Sequence, residues 1–228
     1  MTTTTATRAA LLVLADGRFP AGGHAHSGGA EAAIAAGRVS DPASLEAFCR
    51  GRLGTAGLVA AALAAAAAAG ANPLLLDEAA DARTPSPALR MTARKLGRQM
   101  MRAARACWPS PALDALAAAR PRGAHQPVVL GLAAAAAGLG PLDAAHAAAY
   151  EAVSGPATAA VRLLSLDPFD ATAVLARLAP ELDRVAELAV AAAESALDDL
   201  DALPAASAPL LEIAAEAHAA WPVRLFAS

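Results

Sequence analysis

The chain has 228 residues, of which 57% are hydrophobic, 17% charged and 3% aromatic, and its formal net charge is −3 at pH 7. This length and this hydrophobic content suffice for one globular domain with a sizeable core, and they exclude a disordered chain. The negative net charge and the scarcity of aromatic side chains argue against a dedicated nucleic-acid binder. We therefore expect a globular protein with no nucleic-acid partner.

The amino-terminal segment predicts neither a secretory signal nor a membrane anchor. Only Arg8 precedes a brief apolar stretch, and Asp16 interrupts that stretch before any cleavage site. The most apolar run, residues 57–71, is mainly alanine and is shorter than the about 20 residues that span a bilayer, so it predicts a buried core helix. Cys49 and Cys107 are expected to be buried thiols within helices, as in a reducing compartment, and a cytoplasmic location follows.

Helix boundaries are marked by caps, prolines and glycines. Five polar caps each stand directly before a proline that takes the first helical position: Asp41, Asn72, Ser86, Ser110 and Asp167. Four glycines after apolar stretches are predicted to end helices in the left-handed conformation: Gly17, Gly37, Gly70 and Gly138. The predicted helices cover residues 7–15, 28–36, 42–54, 57–69, 73–83, 87–107, 111–119, 127–137, 141–165, 168–178, 180–202 and 208–220. The sequence thus predicts an all-α, alanine-rich bundle of about ten to twelve helices in a single domain, residues 1–228.

The segment from Leu14 to Ala33 departs from this helical pattern. It holds five glycines, Pro20, two histidines and Ser27, a composition typical of a shaped loop. No P-loop is present, because the only lysine, Lys95, is not flanked by glycine and a hydroxyl residue. Ser27 lacks the first glycine of a nucleophile elbow, and it is expected to cap the following helix, near Glu31.

Two histidines, a series of arginines and a series of acidic residues each have two possible interpretations. His24 and His26 are either loop side chains that bond to the backbone or contacts for a metal or a partner, whereas His125 and His218 are expected to be structural. A basic stripe on the predicted helix 87–107 is either solvated or docks an acidic partner: Arg90, Arg94, Arg98, Arg102 and Arg105. An acidic series at residues 181–201 either is solvated or pairs with that stripe, within the molecule or across a dimer.

The end of the chain is the second departure from the helical pattern. Trp221, Leu225 and Phe226 lie close together beside Arg224, whereas chain ends are usually polar. Aromatic and arginine side chains dominate binding hot spots, so residues 221–228 are expected to be an anchor that docks either on this domain or on a partner.

Four ordered segments of the sequence resemble the urease accessory protein UreF family: residues 14–33, 125–131, 159–166 and 218–228. The first segment is similar to the family's opening pattern at Leu14, Asp16, Pro20, Gly22, Gly23, His26, Ser27, Gly29 and Glu31. The last is similar to its ending at His218, Arg224, Leu225, Phe226 and Ser228. The chain departs from the family at His24, where an aromatic residue is usual, at residues 165–168 and at Ala219.

The resemblance implies an all-helical, non-enzymatic scaffold, usually a homodimer, that works in nickel delivery to urease. Family members bind the accessory protein UreD, also called UreH, and recruit the GTPase UreG. The complex engages apo-urease, and GTP hydrolysis is coupled to nickel release. Nickel and GTP would be handled by the partners, with no cofactor bound by this chain.

The resemblance also implies where the partners bind. The loop from Asp16 to Glu31 would lie at the dimer centre or face UreG. The tail at residues 221–228 would become ordered on the UreD-type partner through Arg224, Leu225, Phe226 and Ser228. Two alternatives stay open at this point: a metal-dependent hydrolase that uses the Gly/His/Ser loop, and an unrelated helical adaptor.

Overall fold

The computed structural model describes residues 9–228, and this part of the chain is helical and without strands. Its α-helices are α1 (Ala9–Ala15), α2 (Ala30–Ala35), α3 (Pro42–Arg52), α4 (Leu58–Ala68), α5 (Pro73–Ala82), α6 (Pro87–Cys107), α7 (Pro111–Ala119), α8 (Gln126–Ala136), α9 (Pro141–Leu164), α10 (Pro168–Ala196) and α11 (Pro209–Ala219). Short 3-10 turns lie at Gly23–Ala25 and Leu200–Ala202. The predicted all-α single-domain fold is confirmed, and residues 7 and 8 of the first predicted helix lie outside the described residues.

Most of the predicted helix boundaries are confirmed. Four of the caps accept a backbone hydrogen bond, those of Asp41, Asn72, Ser86 and Asp167. Ser110 is the exception, because it stands at the N-cap of α7 without a side-chain bond. Gly37, Gly70 and Gly138 have the predicted positive φ, but Gly17 does not, so α1 ends without a left-handed glycine.

Two predicted helix breaks are wrong. A π-helical turn, Leu53–Gly57, joins α3 to α4, so residues 42–68 form one continuous helical run. Helix α10 continues through Pro180, although proline removes one backbone hydrogen bond there. The apolar face of α10 carries Leu178, Leu182 and Val185 into the core on both sides of the proline, and this packing outweighs the lost bond.

Helix α4 lies at the centre of the core. It packs against α8, α9 and α10, and nearly every residue from Ala61 to Ala67 is buried. By length and composition alone the run Pro42–Ala68 is apolar enough to cross a membrane, but 56% of its most apolar window is buried inside the fold. The core helix predicted at residues 57–71 is therefore confirmed.

Small residues let the central helices approach each other closely. A Cβ atom placed on Gly131 of α8 would lie only 2.2 Å from the carbonyl oxygen of Ala64 on α4. Alanine buries little apolar area per residue, so the core depends on this close backbone packing to exclude water and to gain dispersion contacts.

Three arginines of the basic stripe of α6 pair with carboxylates of neighbouring helices rather than with the acidic series of α10: Arg90, Arg94 and Arg105. The buried carboxylate of Asp77 accepts hydrogen bonds from Arg94, Arg120 and the backbone N–H of His125. Arg105 pairs with Asp114 of α7, whereas Glu181 of α10 pairs with Arg50 and Arg184. The structure contradicts the alternative in which the two stripes pair within the molecule, since α5 and α7 supply the carboxylates that pair with α6.

His125 is the structural histidine that the sequence predicted. Its Nε2 lies 2.8 Å from Asp81, and burial is the main reason that its pKa lies below the ordinary value. Cys49 is buried as expected, and burial raises the pKa of its thiol to about 11. Cys107 is exposed, so its predicted burial is wrong; it is the last residue of α6, where the chain reaches the surface.

We predict that Gly131→Ala lowers the free energy of unfolding by about 1–3 kcal/mol, because the added methyl group forces α4 and α8 apart. Gly51→Ala on α3 is the matched control, since its Cβ would meet no atom within 4 Å and the helix propensity improves. Chemical unfolding followed by circular dichroism measures both. Equal effects of the two substitutions would contradict the close approach of α4 and α8.

Candidate functional site

The two segments that depart from the helical pattern meet in space. We call residues 16–29 the opening loop and residues 221–228 the tail. The backbone N–H of Ser27 donates to the carbonyl oxygen of Ser228 over 2.6 Å, and the N–H of Ala227 donates to that of Ala25 over 2.8 Å. The Ser27 hydroxyl donates to the same Ser228 oxygen over 2.7 Å, and His26 Nδ1 lies 2.7 Å from Ser228 Oγ. The tail therefore docks on the opening loop along its backbone.

Consecutive glycines shape the loop for this contact. Gly28 and Gly29 have φ values of 59° and 90°, and Gly29 is the N-cap of α2, so α2 begins later than predicted. Ser27 nevertheless accepts a hydrogen bond from the N–H of Glu31 over 3.2 Å. Its expected capping role is thus confirmed in part, from two residues before the N-cap.

The carboxylate of Glu31 holds the tail in place. One oxygen accepts the N–H of Leu225 over 2.8 Å, and the other accepts the N–H of Phe226 over 3.0 Å and contacts His218 Nε2 over 2.8 Å. Glu31 is only 7% exposed. A buried carboxylate is costly unless its oxygens are satisfied, and here the backbone of the tail itself supplies the donors. Helix α11 contributes through His218, whose ring also packs on Trp221.

The pKa of Glu31 reflects these contacts. Burial opposes ionisation, but the hydrogen bonds from Leu225, His218 and Phe226 outweigh it, so the pKa lies below its ordinary value. The stabilisation supplied by the charged form is complete above the ordinary pKa of a glutamate and is lost as pH falls through the lowered value. Glu31 is therefore ionised at neutral pH.

Phe226 anchors the tail, whereas its neighbours point outward. The ring of Phe226 is buried against Ala30 and Ala159, and the guanidinium of Arg162 lies 5.2 Å from the ring centroid. Val223 and Leu225 are 80% and 74% exposed, and Arg224 is also exposed. Of the two docking modes that the sequence left open, the structure shows docking on this domain, because Phe226 and Ser228 have partners within the chain. Residues 222–225 are exposed to solvent.

His26 has a neutral side chain in this environment. Burial, assisted by the charge of Lys95 and by His24, lowers the pKa of His26 from 6.5 to about 4. The uncharged imidazole forms one hydrogen bond, between its Nδ1 and the hydroxyl of Ser228. His24 is exposed on the 3-10 turn, outside this contact.

Other residues of the opening pattern lie away from the tail. Asp16 pairs with Arg18 at the surface, and the hydrogen bond from Arg18 lowers the pKa of Asp16 to about 2. Pro20 is exposed, and Gly22 begins the 3-10 turn with a φ of 82°. Of the residues that sequence reasoning singled out, the structure brings together His26, Ser27, Glu31, Leu225, Phe226 and Ser228.

Sequence reasoning missed two aromatic contacts near the loop. Phe19 is buried and stacks on Trp108 with ring centroids 5.9 Å apart, which fixes the start of the loop to the end of α6. Arg162 was not singled out, because nothing in the sequence connects it with Phe226. An aromatic residue within a glycine-rich loop was the available indication for Phe19.

The family model named UreF matches residues 39–179. A urease accessory protein UreF of Mycolicibacterium vanbaalenii is 44% identical over 224 residues, covering 96% of this chain and 98% of that protein. The chain belongs to the UreF family. A protein of the same name from Mycobacterium marinum is 45% identical over 97% of this chain and 99% of its own length. Another from Mycobacterium tuberculosis is 43% identical over 92% of this chain and 93% of its own length. The resemblance seen in the four motifs is confirmed, and the chain is a urease accessory protein by family.

We predict that Glu31→Gln lowers the free energy of unfolding by about 1–3 kcal/mol, because at least one of the three donors then faces the amide N–H that replaces a carboxylate oxygen. Glu46→Gln is the matched control, since Glu46 pairs with Arg50 and Arg177 at the surface of α3, and it is expected to have a much smaller effect. Urea unfolding at pH 7 compares the two. A loss for Glu31→Gln no larger than the control's would contradict the proposed role of the carboxylate.

We also predict that acid weakens the contact between loop and tail through His26. Because its folded pKa lies below its unfolded value, the stability that depends on neutral His26 is complete above about pH 6.5 and is lost as pH falls towards 4. Between pH 7.5 and 5.5, wild-type protein should lose about 1 kcal/mol more than His26→Asn, whose amide does not titrate. Unfolding curves at the two pH values measure this difference, and parallel losses in both proteins would oppose it.

Proposed function

We propose that the protein is a non-catalytic scaffold in urease maturation, which binds a UreD/UreH-type accessory protein and recruits the GTPase UreG. The observation that carries this proposal is the meeting of the family's first and last motifs, where Glu31 holds the tail. In this proposal the complex engages apo-urease, and GTP hydrolysis by UreG accompanies nickel release. Nickel and GTP are bound by the partners, and the protein itself needs no cofactor.

The tail offers a surface suited to a protein partner. The buried ring of Phe226 fixes the position of the tail. The exposed side chains of Val223 and Leu225 flank Arg224 in the sequence. Arginine is enriched among binding hot spots, and exposed apolar side chains beside it are a surface that a partner can bury. Because the backbone is already ordered by Glu31 and Ser27, a partner that covers these side chains meets a smaller entropic cost.

The opening loop supplies further candidate contacts for a partner. Asp16, Pro20, Gly22 and Gly23 belong to the same loop, which we assign to the dimer centre or to the surface that faces UreG. A homodimer and a cytoplasmic location complete the proposal. Its effect on UreG is regulatory, through formation of the complex, and no residue of this chain is assigned to bond making or breaking.

The alternative of a hydrolase at the Gly/His/Ser loop lacks the required geometry. Ser27 is fully buried, and its hydroxyl donates to Ser228 rather than to a general base. His26 contacts Ser228 instead of Ser27. In the described part of the chain, no group of three or more His, Cys, Asp or Glu side chains is arranged to hold a metal ion. The second alternative, an unrelated helical adaptor, is overturned by the family membership.

We predict that Leu225→Ala weakens binding to the UreD-type partner by about tenfold or more, because the partner then buries less apolar side-chain area. The substitution keeps the backbone N–H that donates to Glu31, so the position of the tail is preserved. Leu75→Ala on α5 is the control, because Leu75 is also an exposed leucine and lies outside both motifs. Deletion of residues 225–228 should abolish co-purification with the partner.

Co-expression with UreD-type and UreG homologues, followed by affinity purification and titration of the purified complexes, tests the proposal. Wild-type protein is expected to retain the UreD-type partner, and UreG only in its presence. Failure of the wild-type protein to retain either partner would overturn the proposed function. If Leu225→Ala and the Leu75→Ala control bind the partner with equal affinity, the tail is not part of the binding surface.

A further inference from the structure

Two half-buried side chains of opposite charge lie beside the same turn of α9, and neither has a counter-charge within residues 9–228. Arg52, the last residue of α3, donates from Nε to the carbonyl oxygen of Ala152 over 2.9 Å and makes no other hydrogen bond or ion pair there. Glu151 of α9 accepts a hydrogen bond from Gln126 of α8 and makes no ion pair in that part of the chain. A half-buried charge without a counter-charge is costly, so each group lacks the partner that its environment favours.

Arg52 differs in this respect from the other half-buried arginines of the described chain. Each of those uses at least one terminal guanidinium nitrogen to bind a carboxylate or a carbonyl oxygen of the chain: Arg83, Arg90, Arg94 and Arg120. In residues 9–228 the one buried side-chain nitrogen or oxygen atom without a hydrogen bond is Gln99 Oε1, so the terminal nitrogens of Arg52 reach the surface. They remain free to bind a carboxylate through two parallel hydrogen bonds.

The protonation equilibria of the two groups show the same lack of a counter-charge. Burial raises the pKa of Glu151 to about 7, against the opposing effect of the hydrogen bond from Gln126. Burial also lowers the pKa of Arg52. A cation beside Glu151 and an anion beside Arg52 act in the opposite directions and restore the charged forms. Each group is therefore the kind of partner that the other needs.

The face of α9 that continues from Glu151 is open and made of small residues. Ser154, Gly155 and Thr158 lie on it, and a Cβ atom placed on Gly155 would meet no atom within 4 Å. Glycine inside a helix is less stable than alanine, and it is useful where another backbone approaches closely, as α4 approaches Gly131 of α8. No helix of the described chain approaches Gly155 in this way. The face thus leaves room for a second chain.

We propose that two copies of this chain pack their α9 faces together around a two-fold axis, so that Arg52 of each copy pairs with Glu151 of the other. The proposal rests on the homodimer of the proposed function and names its contact. Arg52 comes from α3, whereas Glu151 is directed to α8, and both helices pack on α9. Because the two charges lie at the same turn of α9, a two-fold axis that runs along this helix brings each charge to the opposite one.

A second copy fits this surface better than an unrelated protein does. The chain itself supplies both complementary charges, and a two-fold contact satisfies both of them and forms the ion pair twice. The opening loop borders the same surface, since a Cβ atom placed on Gly28 would lie 3.5 Å from Cζ of Arg52. This position agrees with the assignment of the loop to the dimer centre.

Charge reversal in the full chain, without other proteins, tests the contact. Arg52→Glu and Glu151→Lys each place like charges opposite each other at both ion pairs, and each is expected to weaken dimerisation by about a hundredfold or more. Arg122→Glu and Glu194→Lys are the matched controls, because both residues are exposed and lie outside this face. Sedimentation velocity measures the dissociation constants, and circular dichroism checks the fold. The controls should dimerise as the wild type does.

Mixing the two reversed variants identifies the pair. In an equimolar mixture of Arg52→Glu and Glu151→Lys copies, every contact again joins opposite charges, so dimers of one copy of each should form with nearly the affinity of the wild type. Arg52→Gln and Glu151→Gln, which remove one charge and introduce no repulsion, should each weaken dimerisation by about tenfold. These neutral variants decide the question if a reversed charge prevents folding.

Two results would overturn the ion pair: a mixture that stays monomeric although both variants are folded, or neutral variants that dimerise as tightly as the wild type. A wild-type protein that is monomeric at all concentrations would overturn the dimer together with this contact. The scaffold function is tested separately, by retention of the UreD-type partner and of UreG, and it stands or falls on that result.

Discussion

One buried carboxylate joins the two ends of the described chain. Glu31 lies in the first turn of α2, directly after the opening loop. Its carboxylate oxygens bind the backbone of the tail and the ring of His218 on the last α-helix. A buried charge of this kind is tolerated only when its hydrogen bonds are complete. Removal of any one of the three donors therefore affects the other two. Phe226 and the exposed side chains of the tail take their positions from this contact.

The core below the contact is built on a different principle. Its central helix, α4, is almost entirely alanine where it is buried, and it gains stability from close backbone approach rather than from large side chains. Helices α9 and α10 pack on the same helix. Ala159 and Arg162, which contact Phe226, lie near the end of α9. The packing of α9 in the core therefore fixes the surface on which Phe226 lies. The rigid part of the protein thus carries the part that is proposed to bind a partner.

The sequence predicted much of the fold because helix ends have local causes. Asp41 with Pro42, and Asn72 with Pro73, each mark a helix start through a side-chain bond and a fixed φ angle, both of which depend on neighbouring residues. The continuity of α10 through Pro180 has no local cause, since it depends on packing against α4 and α9. The exposure of Cys107 likewise depends on where the end of α6 reaches the surface.

The candidate site was predictable in its residues but not in its connections. The opening pattern and the ending were singled out separately, as a loop and as an anchor. That Glu31 binds Leu225, about two hundred residues later, is a tertiary contact without a periodic or spacing signature in the sequence. Arg162 and Phe19 were missed for the same reason, because each is defined by an aromatic ring distant in the chain. The sequence therefore identified which segments matter, and the structure shows that they form one surface.

Amide hydrogen exchange of the isolated protein tests this account most directly. If Glu31 holds the tail, the amides of Leu225 and Phe226 exchange slowly in wild-type protein, while those of the exposed Val223 and Arg224 exchange quickly. In Glu31→Gln at least one of the amides of Leu225 and Phe226 becomes fast, because only one acceptor oxygen remains, and those of the α4 core stay slow. Rapid exchange of Leu225 and Phe226 in the wild-type protein, unchanged by Glu31→Gln, would contradict the central claim that this carboxylate docks the tail on the opening loop.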